Sequence, residues 1–152
     1  MKTSVKIFLT AATISIFSIA ANAQIWVNGI EKYTKMTKEQ VIAKFGEPTN
    51  YRYYDSQDNG VDERYFYNGS MLHFNDESFN GFSIKDSRFK VRLEGLDSEV
   101  KVGDKFSVLE PIKPIYMDWY EKNWYCLYFY DEMVSFEVIN GIIQCIDFSG
   151  SI

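Results

Sequence analysis

Met36-Thr37-Lys38-Glu39-Gln40-Val41-Ile42-Ala43-Lys44-Phe45-Gly46-Glu47-Pro48 is the stretch on which the fold turns. Thr37 and Gln40 stand in the T-x-x-Q spacing of a capping box, which makes Thr37 the N-cap. Met36 and Val41 are spaced as the matching hydrophobic staple. Val41, Ile42 and Phe45 form an apolar stripe. Gly46 occupies the C′ position, and Pro48 prevents continuation. A helix over Lys38–Phe45 is expected. At that length it is too short to stand alone and must pack on something else.

Beyond Pro48 the chain reads as strand after strand. Tyr51 to Asp55 is aromatic-rich, and Asp58-Asn59-Gly60 turns the chain. Glu63 to Tyr67 and Met71 to Asn75 are separated by Asn68-Gly69. Asn80-Gly81 is expected to turn into Phe82 to Asp86. Asn-Gly between apolar runs is a strong hairpin signal because both residues accept positive φ.

The order then repeats with a period of about 60 residues. Asp104 is expected to cap a short helical segment with Phe106, Val108 and Leu109, ended by Pro111 and Pro114. Strands are expected over Ile115–Tyr120, Trp124–Tyr130, Met133–Val138 and Ile142–Phe148. Tyr65-Phe66-Tyr67 matches Leu127-Tyr128-Phe129, Met71 matches Met133, Phe74 matches Phe136, and Asn80-Gly81 matches Asn140-Gly141 two residues out of register. The expected class is α+β: two tandem units, each a short helix followed by a four-stranded antiparallel meander, with the helices on one face of the sheet. Between the units, Arg88, Lys90 and Arg92 alternate with Phe89, Val91 and Leu93, as in a half-buried strand with one basic face. That pattern suits an edge guarded by charge; docking to an acidic partner is the other reading.

The pattern resembles the beta-lactamase-inhibitory-protein-like fold. The threonine-capped helix ending in Gly-x-Pro, followed by an aromatic meander, carries the resemblance, which spans about Thr34 to Phe148. Val102-Gly103-Asp104 opens the second unit in a similar way. A single such unit occurs in the small lipoprotein of the outer-membrane barrel-assembly machinery. The tandem form is similar to the inhibitor itself, whose two units make a concave sheet that grips a partner protein. The resemblance implies a protein-binding function. It carries over no inhibitory loop motif, and this chain lacks the lipoprotein's anchoring cysteine.

The N-terminus carries an export signal. Lys2 and Lys6 form a basic start, Ile7–Ala20 an apolar run, and Ala21-Asn22-Ala23 a small-x-small cleavage site. The run is about 14 residues, short of the roughly 20 that a spanning helix needs. The expected organisation is a signal peptide over 1–23 and a single domain over 24–152, with repeats at about 34–92 and 93–149. Export places the mature chain in the periplasm or outside the cell, with no stable membrane anchor. Losing the two charges of Lys2 and Lys6 takes the formal charge from −5 to −7, which disfavours nucleic acid.

Catalysis finds little footing. His73 is the one histidine, and G-x-S-x-G is absent. Cys126, Cys145 and His73 have no metal-ligand spacing. No catalytic residue, metal site or cofactor is expected. Asp55, Asp58 and Asp62 around Asn59-Gly60 lack a calcium loop's glutamate, because Phe66 stands at its twelfth position. Cys126 and Cys145 fall in strands with a third between them in sequence; if the three are neighbours in that order the spacing is about 9.6 Å, beyond the roughly 7 Å reach of a disulfide. Buried free thiols are expected.

Aromatic residues stand out instead, at 17% of the chain. Trp124, Cys126, Tyr128 and Tyr130 should share one sheet face, with Tyr125, Leu127 and Phe129 on the other. Helices must cover one face; the other is then buried as well, or rich in tyrosine through strand propensity alone, or an aromatic binding surface. Tyr53, Tyr65, Tyr67, Trp119, Trp124, Tyr128 and Tyr130 are its candidate residues. The expected function is an exported, non-catalytic protein-binding module: an inhibitor, an immunity protein or an envelope-assembly protein. A small-ligand or glycan binder of the envelope is the alternative.

Overall fold

The computed structural model describes residues 24–58 and 60–150; the expected signal peptide over 1–23 and its expected cleavage site fall outside the described residues. Two short strands, β1 (Ile25–Val27) and β2 (Ile30–Glu31), lead into helix α1 (Lys38–Phe45). The helix has the expected bounds and caps. The Gln40 amide donates to Thr37 Oγ1, and the Thr37 amide donates to Gln40 Oε1 at 2.8 Å. Gly46 takes φ +85°, and its amide donates to the Ile42 carbonyl. Met36 and Val41 are both buried, as a staple requires.

Strands β3 (Asn50–Ser56), β4 (Gly60–Tyr67), β5 (Ser70–Asn75) and β6 (Ser78–Ile84) come next as an antiparallel meander. β7 (Val91–Leu93) pairs with β1, making a small sheet in the order β2-β1-β7. Phe89, Val91 and Leu93 are buried, as the alternation required. On the polar side of the strand Arg88 and Arg92 stack on aromatic rings of the same chain: Arg88 on Tyr67 and Phe89, Arg92 on Trp26. A 3-10 turn (Phe106–Leu109) and the one-turn helix α2 (Lys113–Tyr116) precede a second meander. Its strands are β8 (Met117–Glu121), β9 (Trp124–Phe129), β10 (Glu132–Ile139) and β11 (Ile142–Ser149).

The two meanders join through their last strands, β6 and β11, into one eight-stranded antiparallel sheet ordered β3-β4-β5-β6-β11-β10-β9-β8. The molecule is therefore α+β and mostly antiparallel sheet. One row of paired residues crosses the sheet on its inner face: Tyr51, Tyr65, Leu72, Phe82, Phe148, Val134 and Leu127. All but Tyr51 are buried. Val41 and Phe45 of α1, Leu109 of the 3-10 turn, and Ile25 and Val27 of β1 join the same core. Phe106 packs on Tyr125 and Tyr116 on Phe129, each at 4.3 Å between ring centroids, so the helical pieces cover this one face.

Three local expectations need correction. Asn80-Gly81 is no turn. The β5–β6 turn is made by Asp76 and Glu77, both with positive φ, which leaves Asn80-Gly81 inside β6 beside a register shift. Gly81 is needed for space: a Cβ there would meet the Phe148 carbonyl oxygen at 2.9 Å. Asp104 does not cap the 3-10 turn; its carboxylate accepts the Lys101 amide, and Lys105 stands at the cap position without a side-chain bond. Pro114 does not end a helix. It sits in the first turn of α2, where its missing N–H is no loss, and β8 accordingly starts at Met117 rather than Ile115.

Buried polar groups on the inner side are paired. Lys32 forms an ion pair with Glu132, and the Tyr33 hydroxyl donates to the same carboxylate. Tyr51 and Tyr65 both donate to Glu63 Oε1. Burial, and then the Glu63 bonds, push both phenols well above the ordinary tyrosine value.

Candidate functional site

Among the described residues no helix packs on the opposite face of the large sheet. Its middle row runs Phe66, Met71, Ser83, Asp147, Ser135, Cys126 and Trp119 through successive cross-strand pairs. The centre, on β6, β11 and β10, carries small side chains: Gly81, Ser83, Ser135, Cys145 and Ser149. The flanks are bulky, with Phe66, Met71 and Arg64 on one side and Trp119, Trp124, Tyr128 and Met133 on the other. Small residues between large ones give the face a shallow trough.

Each flank has its own chemistry. On the β3–β5 side the Asp62 carboxylate accepts from Arg64 at 3.0 and 3.2 Å and lies 2.9 Å from His73 Nε2. Burial alone would raise the Asp62 pKa, but the Arg64 and His73 interactions outweigh it and the net shift is downward. These residues, with Tyr54 and Asn75, line an open groove of about 1020 Å³. The Asn75 side-chain oxygen is buried there with no hydrogen-bond partner among the described residues.

On the β8–β10 side the face is aromatic. Trp119 is 46% exposed, Tyr128 39% and Met133 39%; Tyr128 and Met133 are direct cross-strand partners. Trp124 is half-buried and stands between Glu121 on β8 and Glu137 on β10.

The thiols lie in the trough. Cys126 Sγ is 3.4 Å from Ser135 Oγ, and Cys145 donates to Asp147 at 3.1 Å. Both are free and buried, on β9 and β11 with β10 between them. Burial, then the Asp147 bond, pushes the Cys145 thiol up to about 12. It is protonated at neutral pH and a poor nucleophile. His73 bonds to Asp62 rather than to a thiol or hydroxyl.

The seven aromatic candidates do not share one surface. Trp119, Trp124 and Tyr128 come together on the open face. Tyr130 is 57% exposed, but it occupies the β9–β10 turn at φ +57° and so falls out of the strand alternation. Tyr53 is exposed on the edge strand β3, paired with Glu63 and therefore on the helix side of the sheet. Tyr65 and Tyr67 need correction: both are fully buried on the inner face and cannot touch a partner. Tyr65 bonds Glu63, and Tyr67 donates to the Gly46 carbonyl at the end of α1. Met133, Glu121, Glu137 and Asp147 join the face without having been singled out from sequence. The alternation Met133-Ser135-Glu137 against Val134-Phe136-Val138 was the available signal for two of them. Among the described residues no helix is long and apolar enough to cross a membrane. No protein-family model, no curated protein and no solved structure matches the chain.

Proposed function

We propose that this chain is an exported, non-catalytic module that binds another protein through the open face of its eight-stranded sheet. One observation carries the reading: Trp119, Trp124, Tyr128 and Met133 lie together on a face that no helix of the described residues covers, two of them direct cross-strand partners. Large aromatic side chains give contact area at low entropic cost and are frequent anchors of protein interfaces.

The tandem, beta-lactamase-inhibitory-protein-like organisation belongs to the same proposal. Met71 and Met133 lie on the open face of the third strand of each meander, and Phe74 and Phe136 lie on the inner face of the same two strands. The matching helical segments are less alike, an eight-residue helix against a 3-10 turn and a single α-helical turn. Export, with a mature chain starting at Gln24, rests on the leader alone. Intact-mass measurement of periplasmic or secreted protein should find the first 23 residues gone; a mass that keeps Met1 overturns export.

The binding reading is tested by affinity purification from the envelope fraction with wild type and a Trp119→Ala/Tyr128→Ala variant. A stoichiometric protein partner kept by the wild type and lost by the variant is expected. Equal retention by both, or selective binding to a glycan array instead, overturns the reading.

A further inference from the structure

We infer that the open face docks a basic protein segment, with an arginine or lysine side chain seated over Trp124 between Glu121 and Glu137. This rests on the protein-binding reading above and adds the chemistry of the partner.

Register is the first argument. Glu137 pairs with Trp124 across β10 and β9, and Trp124 pairs with Glu121 across β9 and β8. Directly opposed residues place their Cβ atoms roughly 4.5–5.5 Å apart. An indole is therefore held between two carboxylates on one face, next to exposed Trp119. An aromatic ring attracts a cation to its face, and a carboxylate beside it supplies the counter-charge.

Charge complementarity is the second argument. The chain carries −5 overall. Glu121 and Glu137 put two negative charges at this end of the face, and Asp147 adds a third at its centre. The ion pairs of the described residues lie elsewhere, among them Asp62 with Arg64 and Lys90 with Glu99.

A contrast within the molecule is the third. The rings of Trp26, Tyr51 and Tyr67 each have an intramolecular cation over them, from Arg92, Lys38 and Arg88. Among the described residues no such cation is found over Trp119 or Trp124. The partner that fits is one that brings its own.

The test uses the mature protein to select from a random-peptide display library, and measures the selected peptides by titration. Peptides rich in arginine or lysine are expected. Trp119→Ala should abolish their binding. The isosteric Glu121→Gln/Glu137→Gln variant should weaken it about tenfold or more. Glu39→Gln/Glu47→Gln, with the same loss of charge on and after α1, should leave it nearly unchanged. Added salt should slow association more than it speeds dissociation. Neutral or acidic peptides that still require Trp119 overturn this inference and leave the protein-binding reading standing. Equal weakening by both charge variants also overturns it, since attraction would then be diffuse. If no selected peptide depends on Trp119 or Tyr128, both readings fall.

Discussion

Strand tyrosines of the two meanders have opposite fates in this fold. Tyr65 and Tyr67 are fully buried, whereas Tyr128 on the second meander is exposed. Strand alternation groups same-parity residues together, but it does not say which parity meets the core. Truncation reads the difference directly. Tyr65→Ala should cost about 3–5 kcal/mol, because it leaves a cavity and strips Glu63 of a donor. Tyr128→Ala should cost under about 1 kcal/mol, since its side chain already meets water. Urea midpoints of the two variants measure both, and equal costs would contradict the burial pattern. The helix cap is a residue-scale device of another kind. Thr37 and Gln40 satisfy one another's backbone donors, so Thr37→Ala should lower stability by about 1 kcal/mol in the same assay.

Elements are set by turn chemistry, and here the same dipeptide takes two roles. Asn68-Gly69 and Asn140-Gly141 adopt positive φ at both residues and close hairpins. Asn80-Gly81 does not, because Asp76 and Glu77 have already turned the chain. Asn80 is instead buried in β6, where its carbonyl accepts the Gly150 amide at 2.7 Å, and Gly81 lets β11 approach. Gly81→Ala should therefore destabilise by about 1–3 kcal/mol through overpacking against the Phe148 carbonyl. Thermal unfolding of that variant checks it; an unchanged midpoint would mean that the β6–β11 contact is looser than described. This seam matters beyond β6, because β6 and β11 are where the two meanders become one sheet.

At the scale of the whole molecule, buried phenols tie stability to alkaline pH. Burial pushes Tyr67 up to about 12, against roughly 10 in an unfolded chain. A raised value means that the folded state holds its proton more tightly. Its stabilisation is full below about pH 10 and is lost as pH rises towards about 12. Tyr51 and Tyr65 are shifted in the same direction. Denaturant midpoints across the alkaline range should fall for the wild type, and Tyr67→Phe should fall less steeply; parallel curves would refute the assignment. The single sheet also separates what was legible in the sequence from what was not. Lys38–Phe45 and its caps could be read directly, because capping and stapling involve residues within one helical turn. The eight strands of the large sheet, and the spacing of Cys126 from Cys145, came from periodicity and strand order, which are also local. The β1-β2-β7 sheet, the β6–β11 seam and the exposure of Trp119, Tyr128 and Met133 did not. Each depends on which strand lies beside which and on which face the helices cover. Sequence by itself determined the first helix, the approximate positions of the large sheet's strands and the α+β class. Tertiary structure decided the face, because strand alternation is symmetric about the sheet until something packs on one side.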